Sequence, residues 1–87
     1  MNEQSIRQKL RSFITCELIR DQNYPLADQE HLITAGLIDS FALAEFGVFV
    51  EDEFGVYIPD PELTVANLDT LEQMVTRVMA GLRETRD

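Results

Sequence analysis

Three segments of this 87-residue chain carry apolar residues at intervals of three and four, which constrains the fold more than any other feature. Such spacing places apolar side chains on one face of an α-helix. The first segment predicts a helix over about residues 3–20, although Glu17 interrupts its apolar face. The last segment predicts a helix that follows a capping box of Asp69 and Glu72 and ends near Gly81. The apolar positions of these two helices are Ile6, Leu10, Phe13, Ile14 and Leu18, and Leu71, Met74, Val75, Val78, Met79 and Leu82.

The middle segment predicts a helix over about residues 40–54 that is followed by Gly55 as a left-handed C-cap. At 100° per residue this helix has two stripes on roughly opposite sides. The stripe expected in the core consists of Leu43, Phe46, Gly47, Val50 and Phe54. The other stripe, called the mixed stripe below, consists of Phe41, Ala44, Glu45, Val48 and Asp52. Apolar contacts and charges on one helix face are what a helix needs to hold and orient a partner protein.

The segments between these helices are less regular. Residues 21–38 predict a long loop, since the apolar pattern there is irregular and is interrupted by Pro25 and Gly36. We expect the apolar side chains of Leu26, Leu32, Ile33 and Leu37 to attach this loop to the core. Asp60 as cap and Pro61 at the first helical position predict a short helix near residues 61–66. No segment has the pattern of a β-strand. We therefore expect one domain over residues 1–87, an all-α four-helix bundle of three longer helices and one short third helix.

Charge is distributed very unevenly along the chain. Residues 21–76 contain twelve acidic residues and no Lys or Arg, and the net charge is −9. This field argues against binding to nucleic acid or to anionic lipid surfaces, and it favours partners with basic patches. An acidic surface that serves solubility alone is the alternative.

Several other functions are disfavoured by the residues that the chain contains. A single cysteine, Cys16, makes no internal disulfide, and we expect it to be a packing residue in a reducing compartment. His31 has no second ligand type nearby, so neither a metal site nor a catalytic base is expected. The Gly-x-Ser-x-Gly elbow of serine hydrolases and the calcium loop of EF-hands are both missing. Without a signal peptide or a membrane-spanning run, we expect a cytoplasmic protein. The single histidine and the missing elbow predict that it is not an enzyme, and the lack of an extended apolar seam beyond the core predicts a monomer.

Ser40 is the residue best placed to carry a chemical group. It lies where the loop turns into the second helix, and the preceding Asp39 is a favoured capping residue. A phosphate ester on its hydroxyl would meet the positive end of the helix dipole and unpaired backbone amides. The alternative is that Asp39 and Ser40 only cap the helix.

The chain from about Leu32 to the last helix resembles acyl carrier proteins and the related peptidyl carrier proteins. Their Asp-Ser-Leu signature is similar to Asp39, Ser40 and Phe41. Three further motifs of the family are matched in the same order and spacing. Glu45 looks like the acidic residue that the family has five positions after the serine. Residues 51–55 are similar to its Glu-Glu-Glu-Phe-Gly run, and residues 58–60 to its Ile-Pro-Asp entry to the third helix.

The resemblance implies a four-helix bundle of the acyl-carrier type, with a 4′-phosphopantetheine arm from coenzyme A on Ser40 and no metal held by the protein. It implies three kinds of partner: a magnesium-dependent phosphopantetheinyl transferase, a ligase that loads acyl or aminoacyl groups as thioesters, and downstream synthases or transferases. Asp39 would support recognition by the transferase. The docking residues would be those of the mixed stripe.

Two departures bear on the subtype. Ala42 stands where fatty-acid carriers usually have a second acidic residue, and Gly47 replaces a branched residue. Residues 37–41 look more like discrete carriers of amino-acid or specialised-metabolite pathways, including D-alanyl and peptidyl carriers, than like housekeeping fatty-acid carriers. Gly47 would leave space for an acyl chain or allow another helix to approach closely. A carrier-like acidic interaction module that never receives the arm is the alternative function.

Overall fold

The computed structural model describes residues 2–84, and all regular secondary structure in that range is helical. Met1 and residues 85–87, which belong to the predicted domain, lie outside the described residues. The chain folds into a compact globule with a Cα radius of gyration of 12.0 Å. Its segments in chain order are α1 (Glu3–Phe13), a π-helix (Ile14–Ile19), α2 (Ala42–Phe54), a 3₁₀-helix (Asp60–Glu62), α3 (Val65–Leu68) and α4 (Leu71–Glu84).

The first predicted helix is divided into two types of helix. Asn2 caps α1 by accepting the Ser5 backbone N–H at 2.8 Å, and the α-helix changes to a π-helix after Phe13. In a π-helix, residues five apart share a face. Ile14 and Ile19 therefore both pack on the core, while Glu17 between them is exposed. The predicted helix over about residues 3–20 is confirmed in extent, since helical structure runs from Glu3 to Ile19, but its last six residues form a π-helix.

Cys16 lies on the exposed side of this π-helix. The expectation that it is a packing residue was therefore wrong. The widened turn places its neighbour Thr15 in the interior instead, where the Thr15 hydroxyl donates to the Arg11 carbonyl at 3.0 Å.

Helix α2 has the predicted core stripe and the predicted end. Gly55 adopts φ +70°, and its N–H donates to the Glu51 carbonyl at 3.0 Å. Four residues of the core stripe are buried and the fifth, Gly47, is half-buried: Leu43, Phe46, Val50, Phe54 and Gly47. A Cβ at Gly47 would lie 3.3 Å from Leu63 Cδ1, so the absent side chain admits Leu63 closely.

The short third helix differs from its prediction. The 3₁₀-helix Asp60–Glu62 ends at Leu63, and α3 starts afresh after Thr64, whose hydroxyl accepts the Asn67 N–H at 3.3 Å. The prediction of one short helix near residues 61–66 was therefore wrong. Thr64 holds an extended conformation, which interrupts the helix and supplies the cap for α3.

Helix α4 begins with a capping box, but with other residues than predicted. Gln73 N–H donates to the Thr70 hydroxyl at 3.1 Å, and the Gln73 side chain accepts the Thr70 N–H at 3.0 Å. The helix does not end near Gly81 and continues to Glu84. Gly81 is instead an interior contact, since a Cβ there would lie 2.4 Å from Val56 Cγ1.

One apolar cluster joins all the longer helices, with α1 and α2 both packed against α4. The long loop is attached to it as predicted, since Leu26 and Leu32 are buried and Ile33 and Leu37 are half-buried. None of the helices within residues 2–84 combines the length and apolar character needed to cross a membrane.

Candidate functional site

Ser40 lies in the turn that leads directly into α2, and its side chain is exposed. Its carbonyl accepts the Leu43 N–H at 3.1 Å. Within residues 2–84 its hydroxyl has no hydrogen-bond partner. The oxygen is therefore accessible to a reagent from solvent and is not engaged as a cap.

Asp39 performs the capping instead. Its carboxylate Oδ1 accepts the Phe41 N–H at 3.0 Å, and its carbonyl accepts the Ala42 N–H at 3.1 Å. The first turn is tighter than α-helical, since the Leu43 and Ala44 N–H groups also bond to carbonyls three residues back. The four successive backbone N–H groups of residues 41–44 already have acceptors. Fewer unpaired amides therefore remain at this helix start than we expected from the sequence. The dipole of α2 remains available to an anion there.

The mixed stripe is exposed over its full length. Phe41 is 82% exposed and Val48 63%, values that are high for large apolar side chains. Ala44, Glu45 and Asp52 are exposed beside them. The structure thus brings all five predicted docking residues onto one open face that begins one residue after Ser40.

The carboxylates of this face lack counter-charges. Glu53, at the edge of α2, forms an ion pair with Lys9 at 2.6 Å. Glu45 and Asp52 have no ion pair with any residue in the described part of the chain. Because neither charge is neutralised by a neighbour, both are free to attract a basic partner.

A groove of about 650 Å³ runs beside the start of α2, between the π-helix and the loop. Both apolar and charged side chains line it. Leu18, Ile33, Leu37, Ile38, Phe41 and Ala42 are the apolar members, and Glu17, Arg20, Asp39 and Glu45 are the charged ones. Arg20 has φ +64° and ends the π-helix in the left-handed conformation. The sequence did not assign Arg20 to the site, since its position depends on the π-turn.

A second, mostly apolar groove of about 450 Å³ lies on the other side of the mixed stripe. Ala44 and Val48 line it together with Phe13 and Phe49, whose rings stack with centroids 4.2 Å apart. Phe49 falls between the two stripes of α2, so helical periodicity alone did not place it. The stack extends the apolar part of the exposed face toward α1.

The loop before Ser40 is held by Asp69, a carboxylate whose side chain is only 8% exposed. Burial opposes its ionisation most strongly, yet the hydrogen bonds from Thr34, His31 and two backbone amides together outweigh burial and hold the Asp69 pKa well below its usual range. His31 is exposed, as expected, but its Nδ1 lies 2.7 Å from Asp69 Oδ2. Sequence reasoning missed this cluster because Asp69 was assigned to a capping box that Thr70 and Gln73 form.

Compared with models of known protein families and with curated proteins, the sequence matches none of them.

Proposed function

We propose that the protein is a carrier whose Ser40 hydroxyl accepts a 4′-phosphopantetheine arm from coenzyme A. The observation that carries this proposal is an exposed hydroxyl that finds no hydrogen-bond partner among residues 2–84, directly ahead of a helix with an open acidic and apolar face. A capping serine would accept the N–H of Ala42 or Leu43 with its hydroxyl, but here those N–H groups donate to the carbonyls of Asp39 and Ser40. The Ser40 hydroxyl therefore remains available to react.

The site has room for such an arm. The 650 Å³ groove is lined by Asp39 and Phe41, the two neighbours of Ser40 in the chain, so an arm on the hydroxyl would start next to open space. In the transfer, the bond from Ser40 Oγ to phosphorus forms while the bond to the nucleotide part of coenzyme A breaks. The hydroxyl proton passes to the transferase. The thiol of the arm would then carry acyl or aminoacyl groups as thioesters.

Partner enzymes would dock on the mixed stripe. Phe41, Ala44 and Val48 supply apolar area, and Glu45 and Asp52 supply charge for basic residues of the transferase, the loading ligase and the downstream enzyme. Ala42 is buried, so the position where fatty-acid carriers have a second acid does not contribute to this face. This supports assigning the carrier to amino-acid or specialised-metabolite chemistry, within an acyl-carrier-type bundle.

Incubation with coenzyme A and a broad-specificity phosphopantetheinyl transferase tests the proposal by intact mass. We expect the wild-type chain to gain the mass of one arm and Ser40→Ala to gain none. Ser12→Ala is the matched control, because Ser12 is an exposed serine on α1 and its loss should leave the gain unchanged.

An unmodified wild-type chain, or an arm that persists in Ser40→Ala, contradicts the carrier function. The first of these results favours the alternative, an acidic interaction module that acts through α2 without an arm.

A further inference from the structure

Asp69 connects the start of α4 to the loop that ends at Ser40. Its Oδ1 accepts the backbone N–H groups of Ile33 at 2.7 Å and Thr34 at 3.1 Å. Its Oδ2 accepts the Thr34 hydroxyl at 2.6 Å and lies 2.7 Å from His31 Nδ1. Four groups of one short segment thus converge on a single carboxylate.

The same segment is closed onto itself by backbone hydrogen bonds that reach the residue before Asp39. Leu32 N–H donates to the Asp69 carbonyl at 2.7 Å, and the Leu32 carbonyl accepts the N–H groups of Leu37 and Ile38 at 2.9 and 3.0 Å. Gly36, with φ +79°, makes the turn between them. Asp69 therefore fixes residues 31–34 directly and residues 37–38 through Leu32, and Ser40 follows Ile38 by two residues.

We propose that Asp69 is a positioning residue for Ser40, which holds residues 31–38 in the one arrangement that presents the hydroxyl to an incoming transferase. This inference rests on the proposed function. A loop released from Asp69 samples several conformations, and only the fraction that presents Ser40 correctly is competent for arm transfer. The apparent affinity of the transferase for the protein is the intrinsic affinity multiplied by that fraction.

The hydrogen bonds of the cluster favour a carboxylate at this position. The two backbone N–H groups can only donate, and an ionised carboxylate accepts at both oxygens. An Asn side chain has the same shape and keeps one oxygen for the backbone amides, but its NH₂ group would face the Thr34 hydroxyl and His31, which would then have to accept. Asp69→Asn therefore replaces the charge-assisted hydrogen bonds of the cluster by neutral ones with little change in packing.

The test compares Asp69→Asn with Val78→Ala, a control that removes buried volume from the same helix without touching the cluster. The steady-state kcat and KM for the acceptor protein are measured with the transferase, and amide hydrogen exchange is measured by NMR. For Asp69→Asn we expect KM to rise about tenfold with kcat within about twofold of wild type, an effect of the size of one lost charge-assisted hydrogen bond. Exchange at Leu37 and Ile38 should accelerate by a larger factor than exchange at Val75 and Met79, whose amides report only the change in global stability.

Val78→Ala should accelerate exchange throughout the core and leave the acceptor KM within about twofold of wild type, because its loop stays attached to Asp69. An unchanged KM in Asp69→Asn, or exchange that accelerates equally in α4 and in the loop, overturns the positioning role. If the wild type takes no arm, the carrier function fails by itself. Amide exchange in Asp69→Asn then still decides whether Asp69 fixes the segment ahead of Ser40: it does so if exchange at Leu37 and Ile38 accelerates more than exchange in α4.

Discussion

Two glycines inside helices have different surroundings. Gly81 lies in α4, where a Cβ would overlap Val56 Cγ1 at 2.4 Å, a branched side chain that is itself buried. Gly47 lies in α2, where a Cβ would meet the end of the flexible Leu63 side chain at 3.3 Å. The first glycine is required by packing, whereas the second tolerates a methyl group if Leu63 shifts by a few tenths of an ångström.

We expect Gly81→Ala to lower the free energy of unfolding by about 1–2 kcal/mol, because the overlap costs more than the gain in helix propensity of about 1 kcal/mol. Gly47→Ala is the matched variant and should be neutral or up to about 1 kcal/mol more stable. Urea denaturation followed by circular dichroism measures both. Equal stability of the two variants would show that Val56 does not constrain α4.

At the scale of secondary-structure elements, α2 separates packing from recognition by its two faces. Its core stripe packs beneath Leu63 and against α4, while the mixed stripe stays in solvent. The charged residues of that stripe make no ion pair within the described range, so changing them leaves the core intact. Docking can therefore be altered independently of folding.

We expect Glu45→Lys and Asp52→Lys each to slow arm transfer about tenfold at low salt, because reversal of an exposed charge reduces the rate of encounter with a basic partner. The effect should shrink at about 1 M salt, where screening extends over only about 3 Å. Glu84→Lys makes the same charge change on α4 and should transfer at the wild-type rate. Circular dichroism checks folding, and unchanged rates at low salt would count against docking through this face.

At the scale of the whole molecule, half-buried ion pairs connect α1 to the loop and to α4. Arg7 on α1 donates to Glu72 of α4 at 2.9 Å and to Asp28 of the loop at 3.0 Å, and Arg11 also pairs with Asp28. The hydrogen bond from Arg7 lowers the pKa of Glu72. With Asp69, these contacts make the folded state depend on ionised carboxylates, although the chain carries a net charge of −9.

We expect stability to depend on pH through Asp69. Its pKa is lower in the folded state than in the unfolded chain, so its contribution is complete above the unfolded pKa near 4 and declines as the pH falls toward the folded pKa. The stability difference between wild type and Asp69→Asn should therefore shrink by about 1 kcal/mol from pH 6 to pH 3. Urea titrations at each pH measure it. A difference that stays constant over this range would contradict the assignment.

Helical periodicity was enough to predict the all-helical fold, both faces of α2 and the exposure of Ser40. These features are local, because each depends on which residues recur every three or four positions and on a capping residue or a Gly beside them. Gly55 ended α2 as predicted since a left-handed cap needs only that residue.

The tertiary structure decided the π-turn at Ile14–Ile19, the packing role of Gly81 and the function of Asp69. Asp69 had the sequence pattern of a cap, but Thr70 and Gln73 formed the capping box, and Asp69 bonded instead to residues 35 and 36 positions away in the chain. Contacts at that separation have no period in the sequence, since they arise only when the loop and α4 pack against the same core.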